Sequence, residues 1–359
     1  MKRSFMKNII VLSVAFLLAS FYCVNSGAEN YPAPQTTAMP DNADATNNFY
    51  DNTETVPLSL NKLEIAGEVG NPGPVDFAGL SKHSVIVKEA ILDEGGKPKF
   101  IGAYRYDGYS LFDILDNSVL NKKNKAEFPP IIDMYIEVEN DKGEKVVFSW
   151  GEIYYPNNPH KIIIATDVSR IVPSKTKDLW VLPGRSRLVV AGDLVTERNI
   201  SGPVKITVKS YSMSFKVEKG MSPMFSPGIG IFSGAEKVSE LTDFPAGLNT
   251  NTFNTVFYGR GKGIHSTTPF TGVMLKDALA RYYPFNRANL RTGLLCVTAK
   301  DGYRSAVSYS ELFNRNDQQE FLLVKTAPDA DGGLFSLFPA SDFFSDRAIK
   351  SVTEIHFSN

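Results

Sequence analysis

The chain is poor in the residues that most often carry chemistry. It holds two cysteines, four histidines and two tryptophans in 359 residues. Cys23 lies at the end of an amino-terminal apolar run, so an exported form keeps Cys296 alone. A single thiol makes no internal disulfide, which leaves the hydrophobic core to hold the fold. His83, His160, His265 and His356 are far apart and lack the spacing of a metal-binding motif, and no CxxCH haem-attachment sequence occurs. Excess charge is missing too. The 38 basic and 39 acidic residues nearly cancel, which gives no electrostatic footprint for nucleic acid or an anionic membrane. The longest apolar run, Ile9 to Tyr22, is short of the ~20 residues of a spanning helix. No Ser-His-Asp set or paired-carboxylate motif stands out.

What is present is the composition of a soluble globular protein, 43% hydrophobic and 21% charged. Residues 1–28 read as a signal peptide, with Lys2, Arg3 and Lys7 before the apolar run and Ser26-Gly27-Ala28 as a small-residue cleavage site. Phe21 and Tyr22 are too bulky for a lipobox ahead of Cys23, so cleavage after Ala28 is favoured over an uncleaved anchor. The expected location is the periplasm or the exterior of a bacterium. Cleavage removes three bases and no acid, so the mature charge is 35 − 39 = −4. Residues 29–56 carry Glu29, Asp41, Asp44, Asp51 and Glu54 with no base, and read as a disordered acidic tether. Folded structure is expected from Leu58.

The stretch VTAKDGYRSAVSYSEL, Val297 to Leu312, reads as strand, two-residue turn at Asp301-Gly302, strand and helix start, with Ser308 and Glu311 spaced as a capping box. Residues 138–153, VENDKGEKVVFSWGEI, repeat it: Gly143, Ser149, Glu152 and Ile153 stand where Gly302, Ser308, Glu311 and Leu312 stand later. Three more blocks recur in the same order. Gly108, Leu111, Asp113 and Leu115 match Gly272, Leu275, Asp277 and Leu279; Ile163-Ile164 matches Leu323-Val324; Asp193, Arg198, Ile200 and Ile206 match Asp342, Arg347, Ile349 and Ile355. Such ordered echoes point to an internal duplication. The expected layout is repeat one at 57–212, a linker at 213–234 and repeat two at 235–359. Recurring Asp193–Arg198 and Asp342–Arg347 pairs suggest salt bridges that serve the fold.

The ordered set of a Gly67-to-Gly73 turn, the G-x-x-L-x-D-x-L helices at 108–115 and 272–279, the Asp301-to-Arg304 hairpin and the closing D-x-x-x-x-R-x-I strands resembles the oxidoreductase molybdopterin-binding domain of the sulfite oxidase type. The resemblance implies an α+β fold: two tandem β-rich domains of that type, with bent mixed sheets and short helices. It also implies molybdopterin as a possible cofactor, held in active members by a cysteine before the helix. The corresponding regions, 89–108 and 255–272, contain no cysteine, and Cys296 falls after the helix. The metal-ligating position is therefore empty of thiol in both repeats, and no metal ligand or cofactor is expected.

One loop remains as a candidate site. Tyr258 to His265, YGRGKGIH, combines glycine N–H groups with Arg260, Lys262 and His265, which suits a small oxyanion. In the DGYR hairpin, Asp301 and Gly302 are expected to form the turn, Tyr303 to pack and Arg304 to pair across the ladder. His160, after Pro-Asn-Asn-Pro, is expected to be exposed, and Cys296 to be a buried small hydrophobe. The function read from all this is a non-catalytic binding or accessory protein of a periplasmic redox system, with an unidentified protein or small anion as partner. A molybdopterin-dependent oxidoreductase with atypical metal ligation and a structural cell-surface module stay open beside it.

Overall fold

The computed structural model describes residues 54–359 apart from 174–175, 318–319 and 328–330. The expected signal peptide, and the expected tether as far as residue 53, lie outside the described residues. Strands are numbered along the chain, as are the α-helices. In the first half, β1 (Val56–Pro57), β8 (Ile162–Arg170), β5 (Pro98–Ser110) and β4 (His83–Leu92) lie side by side, and β9 (Arg187–Val190) also pairs with β8. A second sheet runs β3 (Gly73–Pro74), β2 (Glu64–Gly67), β10 (Pro203–Ser210), β6 (Met134–Asn140) and β7 (Lys145–Ser149).

The second half has the same plan. Its order β12 (Glu236–Leu241), β11 (Ile229–Ser233), β21 (Val352–Ser358), β17 (Leu294–Ala299) and β18 (Arg304–Ser308) mirrors the sheet just given. In each, one pair is parallel, β2 with β10 and β11 with β21. The other sheet runs β13 (Thr250–Phe253), β16 (Phe270–Met274), β19 (Phe321–Lys325) and β20 (Phe335–Pro339). A separate hairpin joins β14 (Phe257–Gly259) to β15 (Gly263–Ser266).

This architecture corrects the expected α+β, two-domain fold of the sulfite-oxidase type. Strands make up 43% and helices 12%, and the small, mainly antiparallel sheets form a ring like a four-bladed β-propeller. The described residues belong to one compact unit. The helical patterns exist but stop too soon to build a layer. They give α1 (Leu111–Asp116), α2 (Trp150–Tyr154), α3 (Leu275–Leu279), α4 (Arg287–Thr292) and α5 (Tyr309–Phe313), each of five or six residues. A helix that short is not stable alone and survives only where its apolar residues dock on a sheet. Leu111, Ile114 and Leu115 of α1 are buried in that way. Among the described residues, no helix is long and apolar enough to cross a membrane.

Register sharpens the correspondence between the halves. Tyr109 faces Ile164, and Val273 faces Leu323, so Ile164 is the counterpart of Leu323, one residue off the sequence pairing. Gly108 and Gly272 recur for a steric reason: a Cβ at either would overlap the carbonyl oxygen of Ile164 or Leu323 on the next strand. The hairpin turns differ from expectation in length. Gly302 N donates to Ala299 O at 3.0 Å and Ala299 N to Tyr303 O at 2.7 Å, which closes a three-residue loop with Gly302 at φ +82°. Gly143, at φ +77°, closes the same loop in the first half. A positive φ after a tight turn is the usual three-residue hairpin solution and favours glycine.

Two boundaries move. Val56, assigned to the tether, pairs with Val168 of β8, and Ile229–Ser233, assigned to the linker, is strand β11, paired with β12 and β21. The linker is not free chain either, because Glu218 N donates to Asp301 O at 2.8 Å. Apolar cores lie inside each half, around Ile136, Phe148 and Ile206 in the first and Leu295, Phe335 and Ile355 in the second. Burying each such side chain is worth roughly 1.5–3 kcal/mol.

Candidate functional site

The two S-x-x-E helices and the two D-x-x-x-x-R segments, which are turns ahead of β10 and β21 rather than the expected strands, meet at the seam between the halves. Ser149 caps α2 by accepting from Glu152 N at 2.9 Å, and Ser308 caps α5 by accepting from Glu311 N at 3.0 Å. Each serine hydroxyl then donates to the other half's glutamate: Ser308 Oγ to Glu152 Oε2 at 2.8 Å, and Ser149 Oγ to Glu311 Oε2 at 2.7 Å. The arginines complete the exchange. Arg198 Nε and Nη2 grip Asp193 at 2.9 and 2.6 Å, and Nη2 and Nη1 reach Glu152 at 2.6 and 3.0 Å. Arg347 Nε and Nη2 grip Asp342 at 2.7 and 2.6 Å, and Nη2 lies 2.6 Å from Glu311 Oε1. Across the seam, Arg198 Nη1 donates to Ser308 Oγ at 3.3 Å and Arg347 Nη1 to Ser149 Oγ at 3.2 Å. The salt bridges expected from the recurring Asp and Arg are both present, and both are bidentate.

Burial makes this network electrostatically demanding. The Arg198 and Arg347 side chains are 1% and 0% exposed. Two guanidiniums face four carboxylates, Asp193, Glu152, Asp342 and Glu311. Burial pushes Glu152 above the usual carboxylate range, with Arg198 opposing and Glu311 adding to the rise. Asp193 and Asp342 are raised by burial as well. Space is equally tight, since a Cβ on Gly151 would overlap the Arg347 guanidinium.

Beside the network lies a cavity of about 270 Å³. Glu152, Asp193 and Glu311 border it together with Ser310, Lys161 and Ile162, and residues 156–159 form part of its wall. Arg315 closes another side, its Nε and Nη2 donating to Asp317 at 2.9 and 2.8 Å and its Nη1 to Ser341 Oγ at 3.2 Å. Both halves therefore supply walls, and carboxylates outnumber cations on them.

The loop candidates are not gathered in one pocket. Arg260 lies in the turn after β14, its Nη2 lies 3.3 Å from Asp346 Oδ1, and it borders an aromatic recess with Trp150, Tyr154 and Phe344. Lys262 and His265 do not line that recess. His265 lies across Gly259 with its ring 5.3 Å from that of Phe257. The glycines thus serve a two-stranded hairpin. In the DGYR hairpin, Asp301 Oδ1 accepts from Tyr303 N at 2.9 Å and Tyr303 OH donates to Asp346 O at 2.6 Å. Arg304 does not pair across its ladder. It is buried, and reaches into the first half, donating from Nε to Asp133 at 3.1 Å and from Nη1 to Glu127 at 2.8 Å.

Cys296 is buried in β17 against Tyr211, Met213 and Phe215. Burial pushes its thiol up to about 12, and its Sγ lies 3.8 Å from Thr298 Oγ1. A thiol that stays protonated inside a sheet does not fit the thiolate a molybdopterin centre needs.

Sequence spacing missed one cluster. β4 starts at His83 opposite Gly108, and Ser110 pairs with Ile163, so sheet pairing carries His83 and His160 to the same end of β5. The two imidazole rings stack, with centroids 3.8 Å apart and planes 6° from parallel. Asp113, in the first turn of α1, faces both: its Oδ2 is 2.7 Å from His83 Nε2 and 3.6 Å from His160 Nδ1. His160 is half-buried rather than exposed, and burial followed by the neighbouring His83 holds it below the usual imidazole range. No local motif encodes this meeting; only the ladder register does.

No protein-family model matches the chain, and no curated protein matches it in sequence.

Proposed function

We propose that the protein is an exported, non-catalytic binding or accessory protein that holds a small, hydrogen-bond-donating ligand in the cavity at the seam. The observation that carries this reading is the cavity's construction from both halves, over a buried network whose carboxylates are already committed to arginine. Groups fixed in that way orient a ligand well and are poor at moving protons, because each carboxylate oxygen is engaged by a guanidinium or a hydroxyl. Wall carboxylates favour a protonated amine or a polyol over an anion. The resemblance to molybdopterin oxidoreductases connects the protein with redox systems, while the buried Cys296 argues against metal chemistry at that thiol.

Asn157 lies exposed on the cavity wall, so Asn157→Trp obstructs the cavity without entering the core. A thermal-shift screen of amines, polyols, sugars and amino acids should find a compound that stabilises the wild type. Calorimetric titration of that compound into Asn157→Trp should show binding weakened by about tenfold or more, the cost of losing roughly 1.4 kcal/mol of contact. A screen with no stabilising compound, or equal binding by the variant, would refute the proposal.

A further inference from the structure

The geometry points to a divalent transition-metal site formed by His83, Asp113 and His160, separate from the seam cavity. The ligand atoms of these three residues all lie within 4.8 Å of one another, and all three side chains are half-buried. Two imidazoles and one carboxylate form a donor set for borderline ions such as Zn²⁺, Co²⁺, Ni²⁺ or Cu²⁺, whereas Mg²⁺ and Ca²⁺ prefer all-oxygen shells.

Distances bear on whether an ion fits. Zinc–nitrogen and zinc–oxygen bonds of roughly 2.0–2.2 Å in a tetrahedral shell place neighbouring donors about 3.3 Å apart. The separation of 3.6 Å between Asp113 Oδ2 and His160 Nδ1 is close to that span, and the 2.7 Å between Asp113 Oδ2 and His83 Nε2 has to open. Parallel rings aim their lone pairs side by side, so one ring must also tilt for both to meet an ion. Both movements are available to partly exposed side chains, with side-chain exposures of 25% for His83 and 34% for His160.

The surroundings already orient the set. Ser110 Oγ donates to Asp113 Oδ2 at 2.7 Å and lies 3.1 Å from His160 Nδ1, and Phe112 packs edge-on to the His160 ring. Asn158 Oδ1 accepts from His160 N at 3.2 Å and fixes the turn that carries it. Three protein donors leave at least one coordination position open to water or another ligand, as in a metal site that works on or senses something rather than one that only braces the fold.

Isothermal titration of untagged, chelator-treated protein with Zn²⁺ alone tests the assignment, with Co²⁺ absorption reporting geometry. A single tight equivalent is expected. His83→Gln and His160→Gln should each lose more affinity than the ~10–100-fold that outer-shell changes cost. His265→Gln, on β15 of the second half and outside the cluster, should bind as the wild type does. Circular dichroism and the unfolding midpoint establish that each variant is folded before it is scored. A wild type that binds no Zn²⁺ or Co²⁺, or binding that survives both His83→Gln and His160→Gln, would overturn the assignment. Loss in the His265→Gln variant equal to that in the other two would overturn it as well.

Discussion

Arg347→Ala is expected to destabilise the protein by about 3–5 kcal/mol, because it strands buried carboxylates without a cation. Asp342 and Glu311 are each 1% exposed at the side chain, and Arg347 is the cation that both of them contact. Lost packing adds to the charge effect, since the guanidinium also lies 5.1 Å from the Phe321 ring centroid. Arg198→Ala should cost a similar amount, because Asp193 and Glu152 stand to Arg198 as Asp342 and Glu311 stand to Arg347. Replacing Arg347 and Asp342 together by Met and Leu should recover part of the loss, since apolar groups of like volume need no counter-charge. Urea unfolding measures all three. A cost below about 1 kcal/mol for Arg347→Ala would mean the network is hydrated and holds little together, as surface pairs do.

The second large effect is on the dependence of stability on pH. Burial raises Glu152, so the folded state keeps a proton there to higher pH than the unfolded chain does. Its contribution is therefore complete below the ordinary carboxylate value of roughly 4.3 and is lost as pH rises through the higher folded value. Carboxylates such as Glu127, lowered by its Ser214 hydrogen bond first and held also by Arg304, act in the opposite sense and lose their contribution as pH falls. Glu152→Gln removes the first effect and leaves the second. Stability of the wild type relative to Glu152→Gln should thus decline as pH rises above the ordinary carboxylate value of roughly 4.3, with a slope of up to about 1.4 kcal/mol per pH unit. Parallel curves for the two proteins would show that Glu152 ionises as an exposed carboxylate does.

The sequence reveals the local units better than their assembly. Both hairpins, both serine caps and the two Asp–Arg pairs are legible because each is set by residues three to five apart. The fold class is not, because five-residue helices look the same in sequence whether they begin a layer or merely end a strand. β5 is the clearest omission: Tyr104, Tyr106 and Gly108 alternate inward, yet residues 98–107 are assigned to no strand from the sequence. Arg304 illustrates a second limit. Its nearest sequence-level partner lies across the ladder at Thr298, but its charge is met by Asp133 and Glu127 of the other half. The stacked pair of His83 and His160 depends on two ladder registers at once, which spacing within one stretch does not express.

The halves meet through Arg198, Arg347 and Arg304, all buried, and through the reciprocal pairing of Ser149 with Glu311 and Ser308 with Glu152. Two copies of one plan that share their buried charges should unfold as one body. Differential scanning calorimetry of the protein tests this most directly. A single transition is expected, with calorimetric and van't Hoff enthalpies in agreement. Two resolved transitions, one for each half, would contradict a seam that joins the copies into one cooperative unit and a cavity that depends on it.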